Sequence, residues 1–82
     1  MSKIGAMPYQ VIMTGTNGKF IQSSGCTEPA MAGAAVVTFQ GWAQESKRKS
    51  GLDLSVVVTK HGKEIPVSLV VTAYNRFLAR SN

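Results

Sequence analysis

The 82-residue chain is poor in the side chains that most chemistry needs, with one cysteine, one histidine and only four carboxylates. A lone cysteine, Cys26, rules out an internal disulfide and gives no support to a disulfide-stapled secreted scaffold. One His, one Cys and scattered carboxylates supply no spacing for a zinc or calcium site, so neither a metal nor another cofactor is expected. No Gly-x-x-x-x-Gly-Lys-Ser/Thr run is present to cradle a phosphate. No apolar run approaches the roughly 20 residues needed to cross a bilayer. Behind Lys3, Gly5, Pro8 and Gln10 interrupt any signal-peptide core. The expected compartment is a reducing cytoplasm, with no membrane partner. Aromatics make up 7% of the chain, thin for a base-stacking surface. Neither the Lys/Arg-Gly-Phe strand motif of RNA-recognition domains nor the α-β-β-β-α order of double-stranded-RNA binders is found.

The same scarcity weighs against an enzyme. His61 falls among Lys60 and Lys63 at a turn, where nothing orients an imidazole or encloses a substrate. Cys26 lies just before a helix start, a setting that favours a thiolate. With no second His or Asp nearby, its ordinary role as a small, semi-buried residue is the expectation.

What the chain does have is alternation. From Leu54 to Leu69, a turn at His61-Gly62 sets Leu54, Val56 and Val58 opposite Leu69, Val67 and Ile65 on one face. This hairpin is expected to continue through Val71 and Ala73. Residues 74–80 are open between a strand end, a frayed tail and a short helix presenting Tyr74, Phe77 and Leu78. Upstream, Tyr9–Thr14 and Lys19–Ser23 are rich in strand formers, and Asn17-Gly18 between them signals a tight hairpin. That turn puts Val11 and Met13 on one face with Phe20, and Ile12, Thr14 and Ile21 on the other, without deciding which face meets the core.

Glu28 to Lys49 has helical spacing, with Thr27 as expected N-cap, Pro29 in the first turn and Gly51 just past the end. Its apolar stripe is Ala32, Ala35, Val36, Phe39, Trp42 and Ala43. Ala and Gly in its first half are suited to close approach to a sheet. The expectation is an α+β domain over residues 9–80, after a flexible leader at 1–8. Its order is β-β-α-β-β: a four-stranded, mostly antiparallel sheet with one long helix packed on one face. The other face, with Val57, Pro66 and Val70, is left for solvent, a ligand or a second copy, and homodimerisation through it or through a strand edge is a candidate.

Charge is the remaining signal. Nine Lys and Arg against four Asp and Glu give a net charge of +5, which favours anionic partners. Lys47, Arg48 and Lys49 end the helix; Lys60, His61 and Lys63 tip the second hairpin; Lys19 flanks the first turn; Arg76 and Arg80 lie near the C-terminus. These nine residues are the candidate binding set. Nucleic acid is the first expected partner and an acidic protein surface the second. Helix C-termini and strand edges also attract cations for purely structural reasons. In size and lack of catalytic chemistry the chain looks like the small inhibitors of phages and mobile elements, anti-CRISPR proteins among them. That resemblance is one of type, carried by no family motif.

Overall fold

The computed structural model describes residues 7–15 and 18–81. The first six residues of the expected leader, and the turn residue Asn17, lie outside the described residues. The elements are β1 (Tyr9–Thr14), β2 (Phe20–Cys26), α1 (Pro29–Ser50), β3 (Ser55–Lys60), β4 (Lys63–Ile65) and α2 (Val67–Ser81). The strands form one open antiparallel sheet in the order β2-β1-β3-β4. The long helix α1 packs on it. The α+β class and the four-stranded sheet are therefore as expected, with a second helix added.

The second hairpin keeps its expected register at the tip, where Lys60 faces Lys63 and Val58 faces Ile65. His61 (φ 52°) and Gly62 (φ 83°) make the turn with two positive φ angles. Beyond Ile65 the expectation fails. Pro66 has no N–H to give a ladder, and its carbonyl instead accepts the N–H of Leu69 at 3.2 Å, opening a helical turn. Val67, Val70, Val71 and Tyr74 then recur at i, i+3, i+4 and i+7, the spacing of one helix face. Val70 is buried, and Val67 and Val71 pack against the core. Leu69, expected inside, is 59% exposed. Val70 accordingly leaves the open sheet face to which the alternating pattern assigned it.

On the side of β3 away from β4, β1 pairs with it along its whole length from Tyr9↔Lys60 to Thr14↔Ser55. Val11, Met13 and Val58 form the buried row of the sheet, and Val36, Phe39 and Ala32 of α1 close over it. Ile12 and Val57 pair on the far side and are half-buried. In the first hairpin the register shifts between Met13 and Thr14, so Phe20 pairs with Thr14. Phe20 thus leaves the Val11–Met13 row it was expected to join and is 61% exposed.

Helix α1 begins as expected within one residue, but its N-cap is Glu28 in extended conformation, with no side-chain cap. Thr27, the expected cap, donates its hydroxyl to the Met31 sulfur at 3.6 Å. At the other end Gly51 is left-handed (φ 71°) and donates its N–H to the Lys47 carbonyl at 2.9 Å. Gly51→Ala should therefore cost about 1 kcal/mol, the usual penalty of a Cβ in this conformation. Urea denaturation measures it, and an unchanged midpoint would contradict the left-handed cap.

The close approach foreseen for the Ala/Gly half of α1 is to α2 rather than to the sheet. A Cβ on Gly33 would stand 2.8 Å from the Val70 carbonyl carbon, so backbone meets backbone there. Further along, Trp42 stacks on Phe39 with ring centroids 5.5 Å apart. It covers the core from outside and is 47% exposed, which corrects its expected place inside.

Candidate interaction surfaces

The connections fix where each basic residue lies. Helix α1 leaves β2 after Cys26, at the Tyr9 end of the sheet, and returns to β3 at Ser55, at the Thr14 end. Its 22 residues span about 33 Å at 1.5 Å per residue. Lys47, Arg48 and Lys49 consequently stand at the Thr14 end with Lys19. Lys60, His61 and Lys63 occupy the Tyr9 end, together with the N-terminus of α1. The two main clusters lie at opposite ends of the molecule and make no single basic face.

The helix-end cluster is also partly neutralised. Lys47 pairs with Asp53 at 3.0 Å. Arg48 donates to both Glu45 oxygens at 3.0 and 3.2 Å, and Lys49 reaches the same carboxylate at 3.6 Å. All of these groups are solvent-exposed, so each pair adds little stability, but three cations answer to two carboxylates. At the other tip, Lys60 sits over the Tyr9 ring at 5.6 Å, and the His61 N–H is held by the Pro8 carbonyl at 2.8 Å. The His61 side chain is exposed. Cys26 is buried in the core. Among the described residues no three His, Cys, Asp or Glu side chains are grouped to hold a metal. No helix among the described residues is long and apolar enough to cross a membrane.

The more distinctive feature is apolar. Among the described residues ten large hydrophobic side chains are exposed, against six buried in the core beside Cys26 and Ala32. Part of this surface is a groove of about 180 Å³ between the two helices, lined by Ala30, Met31, Ala34, Tyr74 and Phe77, with Glu28 at its mouth. Met31 and Phe77 are 51% and 54% exposed. At this volume the groove suits one or two apolar side chains. Beside it, Ala73, Arg76 and Arg80 face Glu28 and Pro29. The sequence of facing residues, Val70 near Gly33 and then Phe77 and Arg80 near Glu28, makes α1 and α2 antiparallel here.

No protein-family model, curated protein or solved structure matches the chain.

Of the nine basic candidates, then, Arg76 and Arg80 border the groove between the helices. The groove itself was not foreseen. Its signal was the 3.6-residue spacing of Val67, Val70, Val71 and Tyr74, which competed with the alternation extending from Ile65.

Proposed function

We propose that this chain is a non-enzymatic binding module of the cytoplasm that takes a protein partner, through an acidic amphipathic helix seated between α1 and α2. The observation that carries this is the groove: an apolar floor of Met31, Ala34, Tyr74 and Phe77, with two arginines beside it. An amphipathic helix docks on such a groove by inserting apolar anchors, here the one or two at i and i+3 or i+4 that its volume admits, with flanking charges setting orientation. Arg76 and Arg80 outnumber Glu28 at this rim, so acidic flanks on the partner are favoured. An inhibitor that docks on a larger assembly is one form of such a module.

Nucleic acid is the less favoured partner. A phosphate backbone is best met by a continuous basic track, whereas the lysines and arginines here divide between two ends and Glu45 and Asp53 occupy three of them. The apolar floor of the groove offers phosphates no partner, and the two arginines beside it are no continuous track.

Fluorescence anisotropy separates the two partners. The probes are a labelled acidic helical peptide with leucines at i, i+3, i+4 and i+7, and labelled duplex and single-stranded DNA and RNA, all at physiological salt. The peptide should bind, and Ala34→Arg should weaken it at least tenfold by filling the groove. Tighter binding of any nucleic acid than of the peptide, with a steep salt dependence, would reverse the assignment.

A further inference from the structure

The two edges of the sheet differ in a way that points to self-association. The β4 edge is three residues long, carries Lys63 and Glu64, and stops at Pro66. Short length, charge and proline are the usual guards against strand addition. The β2 edge has none of these three: Phe20–Cys26 is seven residues, FIQSSGC, with no charge and no proline, exposed over most of its length, and its one irregularity is the register shift at Ile21, near its start.

The ladder shows which of its backbone groups are open. Gly15 donates its N–H to the Lys19 carbonyl on the β2 side, while the Pro8 carbonyl accepts from His61 on the β3 side. Backbone groups alternate sides along an antiparallel strand, so Tyr9, Val11 and Met13 turn theirs toward β2. Their partners Cys26, Ser24 and Gln22 therefore point inward. Ser23 and Gly25 point their N–H and C=O groups outward.

We infer that β2 pairs antiparallel with β2 of a second copy, about a twofold axis at Ser23, joining two sheets into one of eight strands. In this register Ser23 exchanges both backbone bonds with Ser23 of the second copy, and the side chain of Ile21, the residue passed over at the register shift, comes across from Gly25. The match is favoured by three features of the strand. It is uncharged within a chain of net charge +5, so two copies meet there without apposing cations, which is not so at the β4 edge. Gly25 has Met7 lying over it, since a Cβ there would be 2.9 Å from Met7 Cγ. Ile21 of the second copy therefore lands beside an apolar side chain. Paired edge strands alone bury less than the roughly 1,200 Å² of a specific interface, and Phe20, Ile21 and Met7, all exposed, supply apolar area to extend it. This surface is separate from the α1–α2 groove, so either proposal can fail without the other.

Sedimentation equilibrium at high-micromolar concentration should give the wild type twice the 8.7 kDa chain mass. Because Ser23 faces its own copy across the axis, Ser23→Lys and Ser23→Asp should each sediment at the single-chain mass. An equimolar mixture of the two should return to double mass, since opposite charges then meet. Far-UV circular dichroism checks that both variants are folded. Amide exchange in the wild type gives an answer that needs no variant: Ser23 and Gly25 should gain protection as concentration rises, while Gln22 and Ser24 stay protected throughout. A single-chain mass for the wild type, variants that remain dimeric, a mixture that stays monomeric, or Ser23 and Gly25 amides indifferent to concentration would each overturn the proposal.

Discussion

Phe39→Ala should remove most of the stability of this domain. Phe39 is the one aromatic ring in the buried core and closes α1 over Val11, Met13 and Val58. Truncating such a ring costs about 3–5 kcal/mol, the transfer term plus the cavity it leaves. At about 0.05–0.15 kcal/mol per residue, a chain of 82 residues has only about 4–12 kcal/mol in total. The Trp42 ring loses its stacking partner as well, worth about 0.5–1.5 kcal/mol beyond buried area. With about 4–8 °C per kcal/mol for a domain of this size, the melting temperature should fall by at least roughly 15 °C. Trp42 is the only tryptophan, so its fluorescence reports the transition directly. A fall of only a few degrees would mean that Phe39 does not seal the core.

The second large effect is expected at Gly33. Taken as a helix position alone, Gly→Ala should stabilise by about 1 kcal/mol. Here the new Cβ would lie 2.5 Å from the Tyr74 Cβ and 2.8 Å from the Val70 carbonyl carbon, and neither is the far end of a flexible side chain. Helix α2 has to move as a body, which withdraws Val70 from the core. Overpacking of this kind costs about 1–3 kcal/mol in ordinary cores, and the upper part of that range applies where backbone is struck. The net expectation is a loss of about 2 kcal/mol, accompanied by faster amide exchange throughout α2. Gly41 provides the contrast, because nothing stands within 4 Å of a Cβ built there. Gly41→Ala should stabilise by up to about 1 kcal/mol. Equal and favourable effects at the two glycines would contradict the close helix crossing.

These two positions also show what could be read from the chain alone. Phe39 was legible as core because it recurs with Ala32 and Val36 at helical spacing, and the bounds of β1 and α1 follow from strand formers, Pro29 and Gly51. The tip of the second hairpin was legible down to its register, since His61-Gly62 allows only one pairing of Lys60 with Lys63. The role of Gly33 was not legible, because it depends on α2, and residues 65–73 satisfy both a two-residue and a 3.6-residue period. Pro66 decided between them: it ends the ladder, and Val70 then finds the core from a helix. The nine basic residues were likewise visible, but their separation was not. That depends on β1 lying between β2 and β3, which no local pattern encodes. The pairing of Lys47 with Asp53 depends in turn on the chain reversing at Gly51.

The proposed binding site is the α1–α2 groove rather than the basic clusters. Its most direct test is an amide-resolved NMR titration of the full chain with the acidic amphipathic peptide, and separately with duplex DNA. Shifts concentrated at Ala30, Met31, Ala34, Tyr74 and Phe77 with the peptide, and little response to DNA at physiological salt, are predicted. Shifts concentrated at Lys47–Lys49 or Lys60–Lys63 on adding DNA, with the groove residues silent toward the peptide, would contradict the account.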